Sequence, residues 1–261
     1  MAEIPPAVRR ALDEGRDETR TLVEWLAIDQ AKLLASALPT AGFAAAEVKA
    51  AASAQRANAA NGITVRVKQA GAIVHGLLAG LPAARRRKAC AALAGHRSDM
   101  VRAFLCYSHL ADHGLALAER LAAARRFAAD AAMSVRECAW DSFRPALRRE
   151  LQRGLVLLRA WVADADPNIR RCAVEGSRPR GVWTHHLEPL KADPSPGLPL
   201  LEPCRADPSD YVRKAVANWL NDASKSDPRW VRQLAARWRR ESRCAETAWI
   251  LRRGLRTLRR V

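Results

Sequence analysis

Apolar residues along this chain recur three and four positions apart, in runs long enough for several helical turns, and strict apolar–polar alternation is scarce. That spacing puts one stripe on an α-helix and predicts helices throughout, with almost no strand. The stretch TRTLVEWLAIDQAKLLASAL, from Thr19, opens a helical region that continues through alanine-rich sequence to about Asn61, with Pro-Thr and Asn-Gly pairs as breaks. From ITVRVKQAGAIVHGLLAGLP onward, apolar helical segments alternate with short breaks and a signature starts to recur. Four copies stand out: SDMVRAF from Ser98, MSVRECAW from Met133, DPNIRRCAVEG from Asp166 and DPSDYVRKAVANWLND from Asp207. Aligned on Val101, Val135, Ile169 and Val212, they repeat at intervals of 34, 34 and 43 residues.

In every copy a β-branched residue enters the core and an arginine follows it, and in the last two Asp-Pro before the helix supplies an N-cap and a first-turn proline. This is the pattern of a HEAT-like repeat. The longest interval holds LEPLKADPSPGLPLLEPC, a further Asp-Pro start that reads as an extra, degenerate helix pair, and DPRWVRQLAARW from Asp227 opens another. The expected architecture is an all-α, HEAT-like helical-repeat solenoid forming one domain over 1–261, with 1–61 an N-terminal helical cap and 62–261 the repeats. Stacked repeats curve, so Arg102, Arg136, Arg170 and Arg213, at equivalent positions, are expected to line a basic concave face. The competing reading pairs these arginines with aspartates within and between repeats.

Charge sharpens the picture. The chain carries 44 Lys+Arg against 27 Asp+Glu, a formal +17, mostly as arginine, whose planar fork suits phosphate oxygens. A polyanion is the expected partner. No apolar stretch approaches the roughly 20 residues a spanning helix needs, and the N-terminus lacks the pattern of a secretory leader, so a cytoplasmic, nucleoid-associated monomer is expected. The six cysteines form no CxxC and have no histidines at zinc spacing, which makes them small, reduced core residues. His185 and His186 are adjacent, which alone is weak evidence for a metal site. No metal and no cofactor are expected. Phosphate-loop, HExxH and GxSxG motifs are missing, which leaves nucleotide hydrolysis, zinc proteolysis and serine hydrolysis without support.

Seven of the eight tryptophans lie from Trp140 onward, in the half that also carries RWRRESR and LRRGLRTLRR. Indole interleaved with arginine suits stacking on a displaced base while flanking phosphates are held, although Trp161, Trp230, Trp238 and Trp249 sit in amphipathic helices where core packing competes. In the third copy, Glu175 is followed within nine positions by Arg178, Arg180 and Trp183. Without further information, an ion pair of Glu175 with Arg171 or Arg178 is the plainer reading. In the fourth copy, Asn218, Trp219, Asn221 and Asp222 crowd a helix terminus that disfavours an anion, and Asp222 either serves a site or caps the next helix.

The stretch from Met133 to about Trp238 resembles the HEAT-like-repeat alkylpurine DNA glycosylases of the AlkC/AlkD class, and within them the AlkC branch. The likeness is carried by IRRCAVEGSRPRGVW, the ADPSPGLPLLE spacer and DPSDYVRKAVANWLNDASKSDP, and continues more weakly upstream. The resemblance implies excision of cationic, N3- or N7-alkylated bases from duplex DNA in base excision repair by a monofunctional glycosylase. It makes Asp222 the principal electrostatic and water-positioning residue, Glu175 a second anionic wall and Trp183 an aromatic contact to sugar or lesion. A further pocket glutamate falls near Glu137, with Asp141 the competing candidate where the segment departs from the family pattern. Arg136, Arg170, Arg178, Arg180, Arg213, Lys214 and Lys225 make up the expected DNA-binding set. Some members of the branch carry a C-terminal immunoglobulin-like domain. None is expected here, and Arg252, Arg253, Arg256, Arg259 and Arg260 are expected to grip phosphates in its stead. Two other functions compete: a non-catalytic binder of damaged, bent or branched DNA, and a scaffold whose groove takes an acidic peptide.

Overall fold

The computed structural model describes residues 4–181 and 184–258, and among them every regular element is helical. The fold is an all-α helical repeat. The chain forms two compact units, one running to Ala116 and taking in Asp130–Ser142, the other made of Leu117–Ala129 and the chain from Phe143 onward. The first holds α1 (Pro6–Asp13), α2 (Leu22–Ala27), α3 (Gln30–Thr40), α4 (Ala45–Ala57), α5 (Ile63–Ala79), α6 (Ala83–Ala94) and α7 (Asp99–Ala111). The second holds α8 (Leu117–Ala128), α10 (Leu151–Val162), α11 (Pro167–Gly176), α12 (Glu188–Ala192), α13 (Leu198–Leu201), α14 (Asp210–Ser224), α15 (Pro228–Glu241) and α16 (Ala245–Gly254). Helix α9 (Met133–Arg149) supplies residues to both.

Several helices begin where a side chain satisfies the orphan N–H groups of a first turn. Thr21 and Glu24 form a reciprocal capping box on α2. The Asp166 carboxylate accepts from the Asn168 amide at 2.8 Å to start α11, and Asp227 accepts from Trp230 at 2.9 Å to start α15, each with proline next in line. Asp207 behaves differently. It accepts from the Ser209 amide at 2.9 Å in a turn, and α14 starts three residues beyond it, capped from Ser209 without a side-chain bond. The spacer expected to be a degenerate pair is two short helices, α12 and α13, linked and followed by 3₁₀ turns at Ser195–Gly197 and Glu202–Cys204.

The repeat register is visible in burial. Val101, Val135, Ile169 and Val212 are all buried in the core, and the arginine after each turns back onto the loop entering its own helix. The Nη1 group donates to the carbonyls six and five residues earlier: Arg102 to His96 and Arg97 at 2.8 and 2.9 Å, and Arg136 to Asp130 and Ala131 at 2.6 Å each. Arg170 does the same to Asp164 and Ala165 at 2.9 and 2.8 Å, and Arg213 to Asp207 and Pro208 at 3.0 and 2.6 Å. Arg102 and Arg170 also reach forward to a carboxylate with two bonds each, Arg102 to Asp130 at 2.8 and 3.0 Å and Arg170 to Asp207 at 2.7 and 2.9 Å. At these two loops a bidentate guanidinium–carboxylate pair fixes one repeat on the next.

The tryptophans are largely structural. Trp219 and Trp238 are fully enclosed, and Trp161 meets the Phe143 ring edge-on at 5.9 Å. Cys106, Cys138, Cys172 and Cys204 are buried, and Cys90 and Cys244 are half-buried. Burial pushes the Cys106 and Cys204 thiols up to about 12, which suppresses thiolate chemistry there. Among the described residues no group of His, Cys, Asp and Glu could hold a metal ion, and no helix is long and apolar enough to cross a membrane.

Candidate active site

Helix α11 ends at Gly176, and Glu175 on its last turn points into the second unit with 6% of its surface exposed. Asp222, two residues before the end of α14, is 3% exposed. Two carboxylates at this depth cannot stay ionised unless a cation offsets their lost hydration. Arg178, in the turn that follows α11, supplies it. Its Nε and Nη2 groups both lie 2.8 Å from Asp222 Oδ2, and its Nη1 donates to Glu175 Oε1 in a short contact. Burial opposes the charge on Arg178, and the facing Glu175 and Asp222 outweigh it, so its guanidinium is held above the usual range.

Two further cations flank the pair. Arg171 Nη2 stands 3.5 Å from Glu175 Oε2, and the Arg171 guanidinium lies 4.7 Å from the centre of the Tyr211 ring. Lys225 Nζ is 3.5 Å from Asp222 Oδ1 and half-exposed. The plainer reading of Glu175 as an ion-pair partner of Arg171 and Arg178 is thus present in the structure, and both pairs converge on one locus with Asp222. Asp222 caps no following helix, since α15 is capped by Asp227.

The turn carrying Arg178 is held by groups that the sequence does not single out. Arg144 on α9 is 1% exposed and donates to the carbonyls of Gly176 at 2.6 Å, Arg178 at 2.7 Å and His185 at 3.2 Å. The Trp219 indole N–H donates to the Ser177 carbonyl at 3.1 Å. Trp219 in turn rests against Gly197, where an added Cβ would come within 2.3 Å of the ring, so only glycine lets the spacer lie there. The one available signal for Arg144 is a cation set among apolar residues in the stretch FRPAL, inside the core stripe of α9.

The other expected residues are spread more widely. Arg180 donates to Ser226 Oγ at 2.7 Å, beside Lys225, and so belongs to the same locus. Trp183 lies outside the described residues. Glu137 is half-buried on α9 and accepts from the Trp140 indole N–H of its own helix at 3.0 Å. Asp141 is buried in the first unit, where one oxygen accepts from the Tyr107 hydroxyl at 2.8 Å and meets Lys68 Nζ at 2.7 Å. Arg136, Arg170 and Arg213 are the loop clamps described above, and Lys214 pairs with Asp210 at 2.8 Å on the exposed side of α14. Among the C-terminal cations, Arg253 lies 5.7 Å from the Trp249 ring centre, Arg256 donates to Asn218 at 3.1 Å, and Arg259 and Arg260 lie outside the described residues.

The chain is similar to known proteins in sequence and in fold. The model of a family described as DNA alkylation repair enzyme matches residues 98–258. The alkylpurine DNA glycosylase AlkC of Pseudomonas fluorescens, solved bound to DNA containing an abasic site analogue, superposes with a TM-score of 0.74 at 29% identity, over 98% of this chain and 65% of that one. AlkD2 of Streptococcus mutans superposes with a TM-score of 0.58 at 19% identity, over 80% of this chain and 97% of that one, a likeness of fold. An uncharacterised Bacillus subtilis protein, YhaZ, is 46% identical over 83 residues, which is 32% of this chain and 23% of that protein. The chain therefore spans less than two thirds of either AlkC or YhaZ.

Proposed function

The chain belongs to the DNA alkylation repair enzyme family, and on that footing we propose that it is a DNA glycosylase that releases N3- or N7-alkylated, cationic bases from duplex DNA. The observation that carries this reading is the buried pair Glu175 and Asp222, held by one shared guanidinium. Arg178 takes one oxygen of each carboxylate, and the second oxygens, Glu175 Oε2 and Asp222 Oδ1, stand at the longer distance of 3.5 Å from Arg171 and Lys225, so each keeps capacity to face a positive centre inside a protein of formal charge +17. A duplex is attracted by the surface and a cation by the site.

Alkylation at N3 or N7 gives the base a positive charge and makes it a good leaving group. The C1′–N bond breaks with its electron pair going to the base, which leaves neutral, and the sugar becomes an oxocarbenium ion. A carboxylate about 4 Å from that cation contributes about 4 kcal/mol at an effective dielectric near 20, close to a thousandfold in rate. Asp222 Oδ2 is occupied by Arg178, while among the described residues Oδ1 has the longer contact with Lys225. We assign Oδ1 to the water that attacks C1′, whose proton passes to the carboxylate and then to solvent. Glu175 is the second anionic wall and Trp183 the aromatic contact to lesion or sugar. Arg178, turned inward on both carboxylates, orients them, and phosphate contacts fall to Arg180, Lys225 and the exposed cations of the surface.

The test is release of free base from methylated duplex DNA by the wild-type chain, Asp222→Ala and Glu175→Ala. Release by wild type that drops at least a hundredfold in Asp222→Ala, with duplex binding kept, is expected. One observation favours the rival reading of a non-catalytic DNA binder: the Glu175–Arg178–Asp222 bridge would also serve as a cross-link between α11 and α14. Duplex binding by wild type without release from any methylated substrate would decide for it.

A further inference from the structure

The positive charge of this chain is not evenly spread. From Val48 to Ser98 there is no Asp or Glu, while the same stretch carries three lysines and six arginines. Among the described residues, only Lys68 and Arg97 of these nine form ion pairs, with Asp141 and Asp17. The densest part is the run Arg85, Arg86, Arg87 and Lys88 in the first half of α6, where all four side chains are exposed. The segment lies upstream of the stretch matched by the family model, which begins at residue 98.

The run borders a formed surface. Arg85, Lys88 and Ala92, which share one face of α6 at helical spacing, line a cleft of about 340 Å³ with Pro39, Thr40 and Gly42 from the end of α3. Gly42 takes φ +84, and a Cβ there would meet nothing within 4 Å, so this side of the cleft is open. The Arg85 guanidinium is anchored by a 3.3 Å bond to the Gly42 carbonyl, which leaves further N–H groups of its fork for an anion. Arg86 and Arg87 fan out beyond the cleft because successive helical positions turn by about 100°. Among the described residues no carboxylate forms an ion pair with Arg85, Arg86, Arg87 or Lys88.

We propose that the basic edge of α6 is a second nucleic-acid contact that binds the phosphate backbone of the duplex outside the lesion. It rests on the reading of the chain as a protein of duplex DNA, and its cations are separate from the carboxylate site. An anionic lipid surface fits less well. Surface-lying helices insert bulky apolar side chains between headgroups, and the exposed face of α6 offers alanine and cations, while the exposed large apolar residues Leu22, Leu26, Val65, Met133 and Val156 all belong to other elements. Duplex DNA offers one charge per about 1.7 Å of axis and rewards unneutralised arginine through counterion release.

The experiment measures duplex affinity against KCl concentration for wild type and for the fourfold variant Arg85→Gln, Arg86→Gln, Arg87→Gln, Lys88→Gln. All four positions are exposed, and an unchanged melting temperature confirms that the variant is folded. Each lost phosphate contact lowers the log–log salt slope by about 0.9, so the slope is expected to fall by about 2 to 4 and affinity at 0.1 M salt by at least tenfold. A fourfold lysine variant should recover most of both. Single-turnover base release at saturating DNA should be unchanged. An unchanged slope overturns the proposal, as does a variant that keeps its DNA slope but loses binding to phosphatidylserine vesicles. If wild type binds duplex with this slope difference but releases no base, the glycosylase reading fails and the α6 contact stands. If wild type does not bind duplex, both fall.

Discussion

Arg178 is the residue on which the site depends, because it is the group that faces both buried carboxylates directly. Replacing it with methionine keeps most of the packing and leaves two anions at 6% and 3% exposure without their shared partner. Breaking a buried pair from one side costs about 3–5 kcal/mol, and that is the loss of stability expected for Arg178→Met at neutral pH by urea unfolding. The charge-keeping Arg178→Lys should lose less than Arg178→Met. An equal loss in the two variants would assign it to packing alone. The dependence of stability on pH is carried by His96. Burial, assisted by the nearby Arg102, lowers its pKa, and its Nδ1 accepts the Ser98 amide at 3.1 Å, which requires the neutral ring. A histidine with a depressed folded pKa contributes stability that is present above its ordinary value near 6.5 and is lost as pH falls through the folded value. Wild type should therefore lose more melting temperature between pH 7 and pH 5 than His96→Asn, which keeps an acceptor without the titration. Parallel curves would remove His96 from the account.

At the scale of elements, the site is a turn between two helices, and its precision comes from what lies beneath that turn. Arg144 satisfies three carbonyls of the segment from Gly176 to His185. A lysine in its place is a compact point charge that cannot fork to three acceptors, and each buried carbonyl left unsatisfied costs about 1–3 kcal/mol. Arg144→Lys should lower the single-turnover rate of base release at least tenfold while duplex affinity stays within twofold. A change confined to affinity would mean that Arg144 does not position the site. The helices themselves were legible in the sequence, because caps and apolar spacing act within a few residues. The repeat register was legible for the same reason, since Val101, Val135, Ile169 and Val212 each occupy one core position beside one arginine. The destinations of those arginines stayed divided between a basic face and pairs with aspartates, because the loop carbonyls and the aspartates a repeat away become neighbours only when helices stack. Asp207 shows the same limit: Asp-Pro reads as a cap, and the folded chain uses the carboxylate to receive Arg170. Glu175 and Asp222 could be picked out individually by chemistry and by resemblance, but their joining through Arg178 depends on a turn after Gly176 that no periodicity describes.

At the scale of the whole molecule, the proposed function sets two electrostatic problems that have to be solved together: a polyanion must be held, and a cation must be favoured at one point along it. The first is met by the surplus of exposed arginine and lysine, which acts over about a Debye length of 10 Å at 0.1 M salt and weakens as salt rises. The second is met by buried carboxylates, which salt screens far less. The two should therefore separate under mutation. Asp222→Asn preserves shape and an acceptor for Arg178 while removing one negative charge from a protein of net +17. Its affinity for undamaged duplex should equal or slightly exceed that of wild type, and its salt slope should be unchanged because no phosphate contact is lost. Release of a methylated base should fall by about two to three orders of magnitude, the range found when one group that stabilises a transition-state charge is removed. Fluorescence anisotropy across a KCl series, run beside single-turnover excision, tests both halves on the same protein. If affinity and excision fell together in Asp222→Asn, the carboxylate would be holding the fold of the DNA-binding surface, and the division between a salt-sensitive surface and a salt-resistant site would be wrong for this chain.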